Sequence, residues 1–89
     1  MYRLTIQYHK KFVKEFQKLP KEIQEKAVLL EDIFCTNPYH PELKTKKLQG
    51  KLQLFYSFRV TRDYRIIFEF IDQKTVLFLA AKHRKDIYK

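Results

Sequence analysis

The C-terminal segment Lys82-His83-Arg84-Lys85-Asp86-Ile87-Tyr88-Lys89 concentrates four cations, one imidazole and one phenol. It directly follows an apolar run, Val76-Leu77-Phe78-Leu79-Ala80-Ala81. That run is too short for a helix and rich in strand-forming residues, so it reads as a buried strand. Such a strand delivers phosphate-binding groups and two proton-transfer candidates to one edge of a sheet. Cleaving RNA needs little more: a ribose 2′-OH loses a proton, a phosphate is neutralised, and a leaving oxygen is reprotonated. An imidazole titrates near neutrality, so His83 is a candidate base or acid. Tyr88 is a candidate proton donor or a platform on which a base stacks. The plainer roles are an exposed, idle imidazole and an aromatic ring that anchors the tail.

Two arginines extend the same chemistry upstream. Arg59 ends an alternating run, on the side opposite its apolar positions, and Arg65 follows the next turn. A closed hairpin brings both to one end of the sheet, and register decides whether they share a face. Arg65 lies between Tyr64 and Ile66-Ile67-Phe68, so part of its stem is shielded and its guanidinium suits a bidentate anion. An ion pair with Glu69, Asp63 or Asp86 is the competing role.

Composition supports a polyanionic partner. The 89-residue chain has a formal net charge of +9, unevenly spread. Residues 1–43 hold seven Lys/Arg against six Asp/Glu, and residues 44–89 hold twelve against four. Nucleic acid or an acidic protein fits the basic half. Lys44, Lys46, Lys47 and Lys51 in a loop over residues 38–51, with Lys82, Arg84 and Lys85 in the tail, are the candidate RNA-binding cations. A solvated charge run is the alternative for the loop.

Other chemistries are excluded by what the sequence lacks. Gly50 is the one glycine, so a Gly-rich phosphate loop is not possible. Cys35 is alone, which leaves no disulfide and no thiolate zinc site within the chain. His9, His40 and His83 lack metal-ligand spacing, and no metal or other cofactor is expected. The lone serine, Ser57, has no nucleophile elbow around it. No apolar stretch approaches ~20 residues and the N-terminus lacks a signal peptide's apolar region, so a cytoplasmic protein is expected.

The elements that must position these groups follow from periodicity. Tyr2 to Tyr8 alternates as a half-buried strand. Phe12, Phe16 and Leu19 mark a short amphipathic helix, which Pro20 ends. Ile23, Ala27, Leu30 and Phe34 mark a second helix, which Asn37-Pro38 breaks. Leu52–Val60, Tyr64–Ile71 and Thr75–Ala81 then form a meander, with the even positions of the first facing the core. The prediction is one α+β domain over residues 1–89, ordered β-α-α-β-β-β, with a helical hairpin on a mainly antiparallel sheet. The place and direction of the first strand in that sheet are open.

Taken in order, Lys47-Leu48-Gln49-Gly50, Tyr56-Ser57-Phe58-Arg59-Val60, Tyr64-Arg65-Ile66-Ile67-Phe68 and His83-Arg84-Lys85-Asp86-Ile87-Tyr88 resemble the motifs of the RelE/ParE toxin superfamily. The resemblance spans the whole chain. Its RelE branch, which the tail favours, implies a type II toxin that cuts mRNA on the ribosome by attack of a 2′-OH on the adjacent phosphate. By position, Arg65 matches the arginine that stabilises the reacting phosphate, and Arg59 matches a basic position on the preceding strand. His83 and Tyr88 match positions used in proton transfer and base stacking, and Lys82 a site where some members are basic. The resemblance also implies a cognate antitoxin with an acidic segment, a toxin–antitoxin hetero-oligomer, and mRNA and ribosome as partners. There are departures: Ser57 and Phe58 stand where some members are basic, and Glu42 lies only in the general region of a glutamate base. A ParE-like inhibitor of DNA gyrase without RNA chemistry, or an inactive member kept as a binding partner, are the alternatives.

Overall fold

The alternation before His9 and the helical period after it meet in one corner. A computed structural model describes residues 3–50 and 54–87. Strand β1 (Thr5–Tyr8) runs directly into helix α1 (Lys10–Gln17). His9 caps the helix, its Nδ1 accepting the Lys11 amide at 3.0 Å. Pro20 stands at the N-cap of helix α2 (Lys21–Thr36). Gln24 closes the hairpin by donating from Nε2 to the carbonyls of Leu19 (2.9 Å) and Gln17 (3.3 Å). Those carbonyls at the end of α1 have no partner within their own helix.

The predicted loop over residues 38–51 is partly ordered into elements. It holds a 3-10 turn (Pro41–Leu43) and a two-residue strand β2 (Lys46–Lys47). Strands β3 (Tyr56–Arg59), β4 (Tyr64–Phe70) and β5 (Thr75–His83) form the meander. The sheet order is β1-β5-β4-β3-β2, and β1 is the one strand that pairs in parallel, with β5. The observed order is thus the predicted one plus a short edge strand. β3 is shorter than expected: Leu54 is 73% exposed and sits in a turn instead of facing the core. Leu52, Gln53, Lys51 and Tyr88 lie outside the described residues.

Both helices pack on one face of the sheet around Phe34. Its ring is fully buried and lies 5.1 Å from Phe58, 4.8 Å from Phe68 and 5.4 Å from Phe78, centroid to centroid. One helix residue therefore contacts the three central strands at once. Phe12 adds α1 through Phe78 at 5.4 Å. A smaller cluster of Leu48, Ile67, Ala80 and Ile87, with Phe55 and Leu79 against it, covers part of the opposite face.

Strand β5 contains a bulge that decides which face its end presents. Phe68 pairs with Phe78 and Ile67 with Ala80, so Leu79 is an extra residue. Leu79 and Ala80 both pack on the smaller cluster, and Ala81 returns to the helix side. Without the extra residue, strict alternation from Phe78 would carry Lys82 to the helix side and His83 to the far side.

Phe34→Ala should leave a cavity between three strands and cost about 3–5 kcal/mol. Equilibrium unfolding in urea measures it. A loss below about 1 kcal/mol would show that α2 is not the keystone of this core.

Candidate functional site

Register places a row of cations on the face away from the helices. Arg59 pairs directly with Arg65 across β3 and β4, and Arg65 pairs with Lys82 across β4 and β5. Directly opposed residues share a face, with Cα atoms roughly 5 Å apart. The next row inward is Lys46, Ser57, Ile67 and Ala80. Lys46 therefore shares the face of the two arginines, whereas Lys47, opposite Tyr56, is on the other. Lys44 is exposed with φ at 48°, and this left-handed residue turns the chain out of the 3-10 turn toward β2.

Like charges placed directly opposite one another destabilise a sheet. No ion pair among the described residues involves Arg59 or Arg65. The competing partners Asp63 and Glu69 thus form no ion pair with Arg65. Its Nη1 instead donates to the Arg62 carbonyl at 3.1 Å, which orients the guanidinium toward the β3–β4 turn. Burial first, then the Arg59 and Arg84 charges, push Arg65 below the ordinary arginine pKa, with Asp63 opposing. An arginine stays charged at neutral pH all the same. The Arg59 Nε is buried and has no hydrogen-bond partner among the described residues. An oxyanion on this face would relieve both costs.

The flanking cations are held differently. Lys82 Nζ donates to Glu15 Oε2 at 2.9 Å, a half-buried ion pair reaching from α1. Arg84 closes the site against the β3–β4 turn: its amide donates to the Asp63 carbonyl at 2.7 Å, and Nε lies 3.5 Å from Asp63 Oδ1. Lys85 is exposed. Glu15 was not singled out from the sequence. The one available signal was its isolation as the single carboxylate of α1.

His83 does not join the arginines. It pairs with Tyr64, its ring lies edge-on to Tyr64 at 5.4 Å, and the bulge carries it to the helix side, where Tyr64 already lies. Its Nδ1 accepts the Lys85 amide at 3.2 Å and so caps a 3-10 turn (Arg84–Asp86). The other two histidines do the same: His9 caps α1, and His40 caps the earlier 3-10 turn through the Glu42 amide at 3.1 Å. His83 and Arg65 thus lie at the same end of the sheet, on opposite faces. Glu42 is exposed in the turn that His40 caps. Among the described residues, no three His, Cys, Asp or Glu side chains cluster as metal ligands would. No helix among them is long and apolar enough to cross a membrane.

Comparison with known proteins gives this geometry a context. The sequence profile described as the ParE toxin of the type II toxin–antitoxin system, parDE, matches residues 6–88. A RelE-like toxin protein of Escherichia coli is 26% identical over 91 residues, covering 97% of this chain and 90% of that protein. The crystal structure of YafQ from E. coli strain BL21(DE3) matches with a TM-score of 0.79 at 19% identity, over 98% of this chain and 100% of that one. The archaeal RelE–RelB complex from Pyrococcus horikoshii OT3 contains a chain 30% identical to this one, with a TM-score of 0.74 over 94% and 98% of the two chains. With a profile matched across nearly its whole length and a fold shared with these toxins, the chain belongs to the ParE toxin family of type II toxin–antitoxin systems, within the RelE/ParE superfamily.

Proposed function

We propose that this toxin is an endoribonuclease that cuts mRNA, on the ribosome, and so inhibits translation in the cytoplasm. The observation that carries the reading is the direct opposition of Arg59 and Arg65, neither ion-paired with a described carboxylate. Two guanidiniums side by side suit a phosphate whose charge grows as the ribose 2′-oxygen bonds to phosphorus and the 5′-oxygen leaves. Arg65 and Arg59 hold that phosphate. Lys46 shares this face, and Lys44, Lys47, Lys51, Arg84 and Lys85 are the further cations assigned to flanking phosphates of mRNA and ribosomal RNA.

Proton transfer is assigned by face. His83 has its Nδ1 engaged in a cap and lies on the helix side, so its role here is structural. Tyr88 remains the candidate of the tail, as the one phenol in that segment. A second reading, a ParE-like inhibitor of DNA gyrase, is favoured by the family profile and by the absence of His83 from the arginine face. Brief induction separates the two: mRNA cleavage supports the first, and replication arrest with intact mRNA supports the second.

The partner follows from charge. A cognate antitoxin with an acidic segment would cover the basic second half, in a toxin–antitoxin hetero-oligomer. Its binding should weaken as salt rises and on charge reversal at the exposed Arg84 and Lys85. Affinity that ignores both, measured by calorimetry, would contradict an electrostatic interface.

Arg65→Ala should leave the fold intact and slow single-turnover RNA cleavage by roughly 10²–10³. Full activity at equal stability would show that the site is misplaced. His83→Gln should cut RNA across the pH range much as the unaltered protein does. It should lose about 1 kcal/mol of stability with the cap. Loss of the acid limb of the pH–rate profile in this variant would restore His83 as the base.

A further inference from the structure

Strand β1 ends at Tyr8, opposite Phe78, and the His9 amide makes the last contact to the Phe78 carbonyl at 2.9 Å. Beyond it, β5 runs on to His83 with β4 on one side and, among the described residues, no strand on the other. The bulge at Leu79 turns the Ala81 amide toward that open edge. Glu15 meets it there: Oε1 accepts the Ala81 amide at 3.0 Å while Oε2 accepts Lys82 Nζ at 2.9 Å. One carboxylate thus holds the backbone and the side chain of adjacent residues. The pair is sheltered, with side chains 24% and 23% exposed. Lys82 is the residue directly opposite Arg65.

We propose that Glu15 is a positioning residue of the RNA site, which fixes the Lys82 ammonium at the open edge of β5, one strand over from Arg65, as a pre-ordered cation for the phosphate next to the one being cleaved. This rests on the ribonuclease reading above. An ammonium has three donors, so one bond to Glu15 leaves two for an incoming phosphate. Holding a long, flexible lysine in place before RNA arrives lowers the ordering that binding must impose. The carboxylate also subtracts one charge from a crowded cationic row. Its neutralisation should therefore tighten RNA binding by simple electrostatics while slowing the reaction through lost alignment. That opposition separates positioning from a role in stability or bulk charge.

The test uses Glu15→Gln, Lys82→Met and the double variant in the full chain. Single-turnover cleavage is measured beside binding of an RNA whose reacting ribose is 2′-deoxy and cannot be cut. Glu15→Gln keeps an oxygen for the Ala81 amide and removes the charge. Each single variant should cut roughly 10-fold more slowly. The double variant should be no slower than the slower single one. Glu15→Gln should bind the uncut RNA as tightly as the unaltered protein, or more tightly. Unchanged cleavage by Glu15→Gln, additive losses in the double variant, or a rate loss that tracks weaker RNA binding overturns the proposal. Should Glu15→Gln not fold, Lys82→Met decides alone, and normal cleavage by it overturns the proposal. If the unaltered protein leaves RNA uncut, the ribonuclease reading falls and this inference with it. If it cuts and the variants cut equally well, this inference alone falls.

Discussion

Side chains alternate along a strand, so a single extra residue exchanges the faces of everything that follows it. In β5 that residue is Leu79, and the rest of the site depends on it. The bulge lets Phe78 stay in the aromatic core while Ala81 returns to the same side. Between them, Leu79 and Ala80 both cover Ile67 on the opposite face. Lys82 consequently completes the row begun by Arg59 and Arg65, and His83 is carried to the other side against Tyr64. The same shift aims the Ala81 amide at the open edge, where Glu15 receives it.

The rigid part of the molecule serves to hold this row against its own repulsion. Phe34 ties α2 to three strands through close ring contacts, and those strands carry the two arginines and Lys82. Opposed like charges and a buried Arg59 Nε with no partner among the described residues each cost stability, on the order of 1 kcal/mol or more. A core of this kind can sustain that cost. Lys82 and Arg84 at the margin are offset by Glu15 and Asp63, while the central pair forms no ion pair among the described residues. The uncompensated charge is thus concentrated at Arg59 and Arg65.

The helices and the meander were legible because their apolar residues repeat at characteristic periods. Phe12 and Phe16 in α1, Leu19 just past its end, and Ile23, Ala27, Leu30 and Phe34 in α2 all pack in or against the main core. The bulge was not legible. Leu79, Ala80 and Ala81 are apolar and suit either face, so nothing in their types marks the extra residue. β2 consists of Lys46 and Lys47 and exists by pairing with Ser57 and Tyr56, so no apolar signal announced it. Leu54 kept the alternation of its run but sits in a turn. The capping role of the histidines was not legible for another reason. Capping through Nδ1 depends on local backbone geometry, which composition does not carry, and it gives His9, His40 and His83 the same task.

Arg59 and Arg65 are proposed to form together the site for one RNA phosphate. Titrating the protein with an uncleavable mRNA fragment while following the arginine Nε–H resonances by NMR tests this. The Arg59 and Arg65 signals should shift together and saturate at the same RNA concentration. Shifts confined to the exposed Arg62 and Arg84, with Arg59 and Arg65 unmoved, would contradict it.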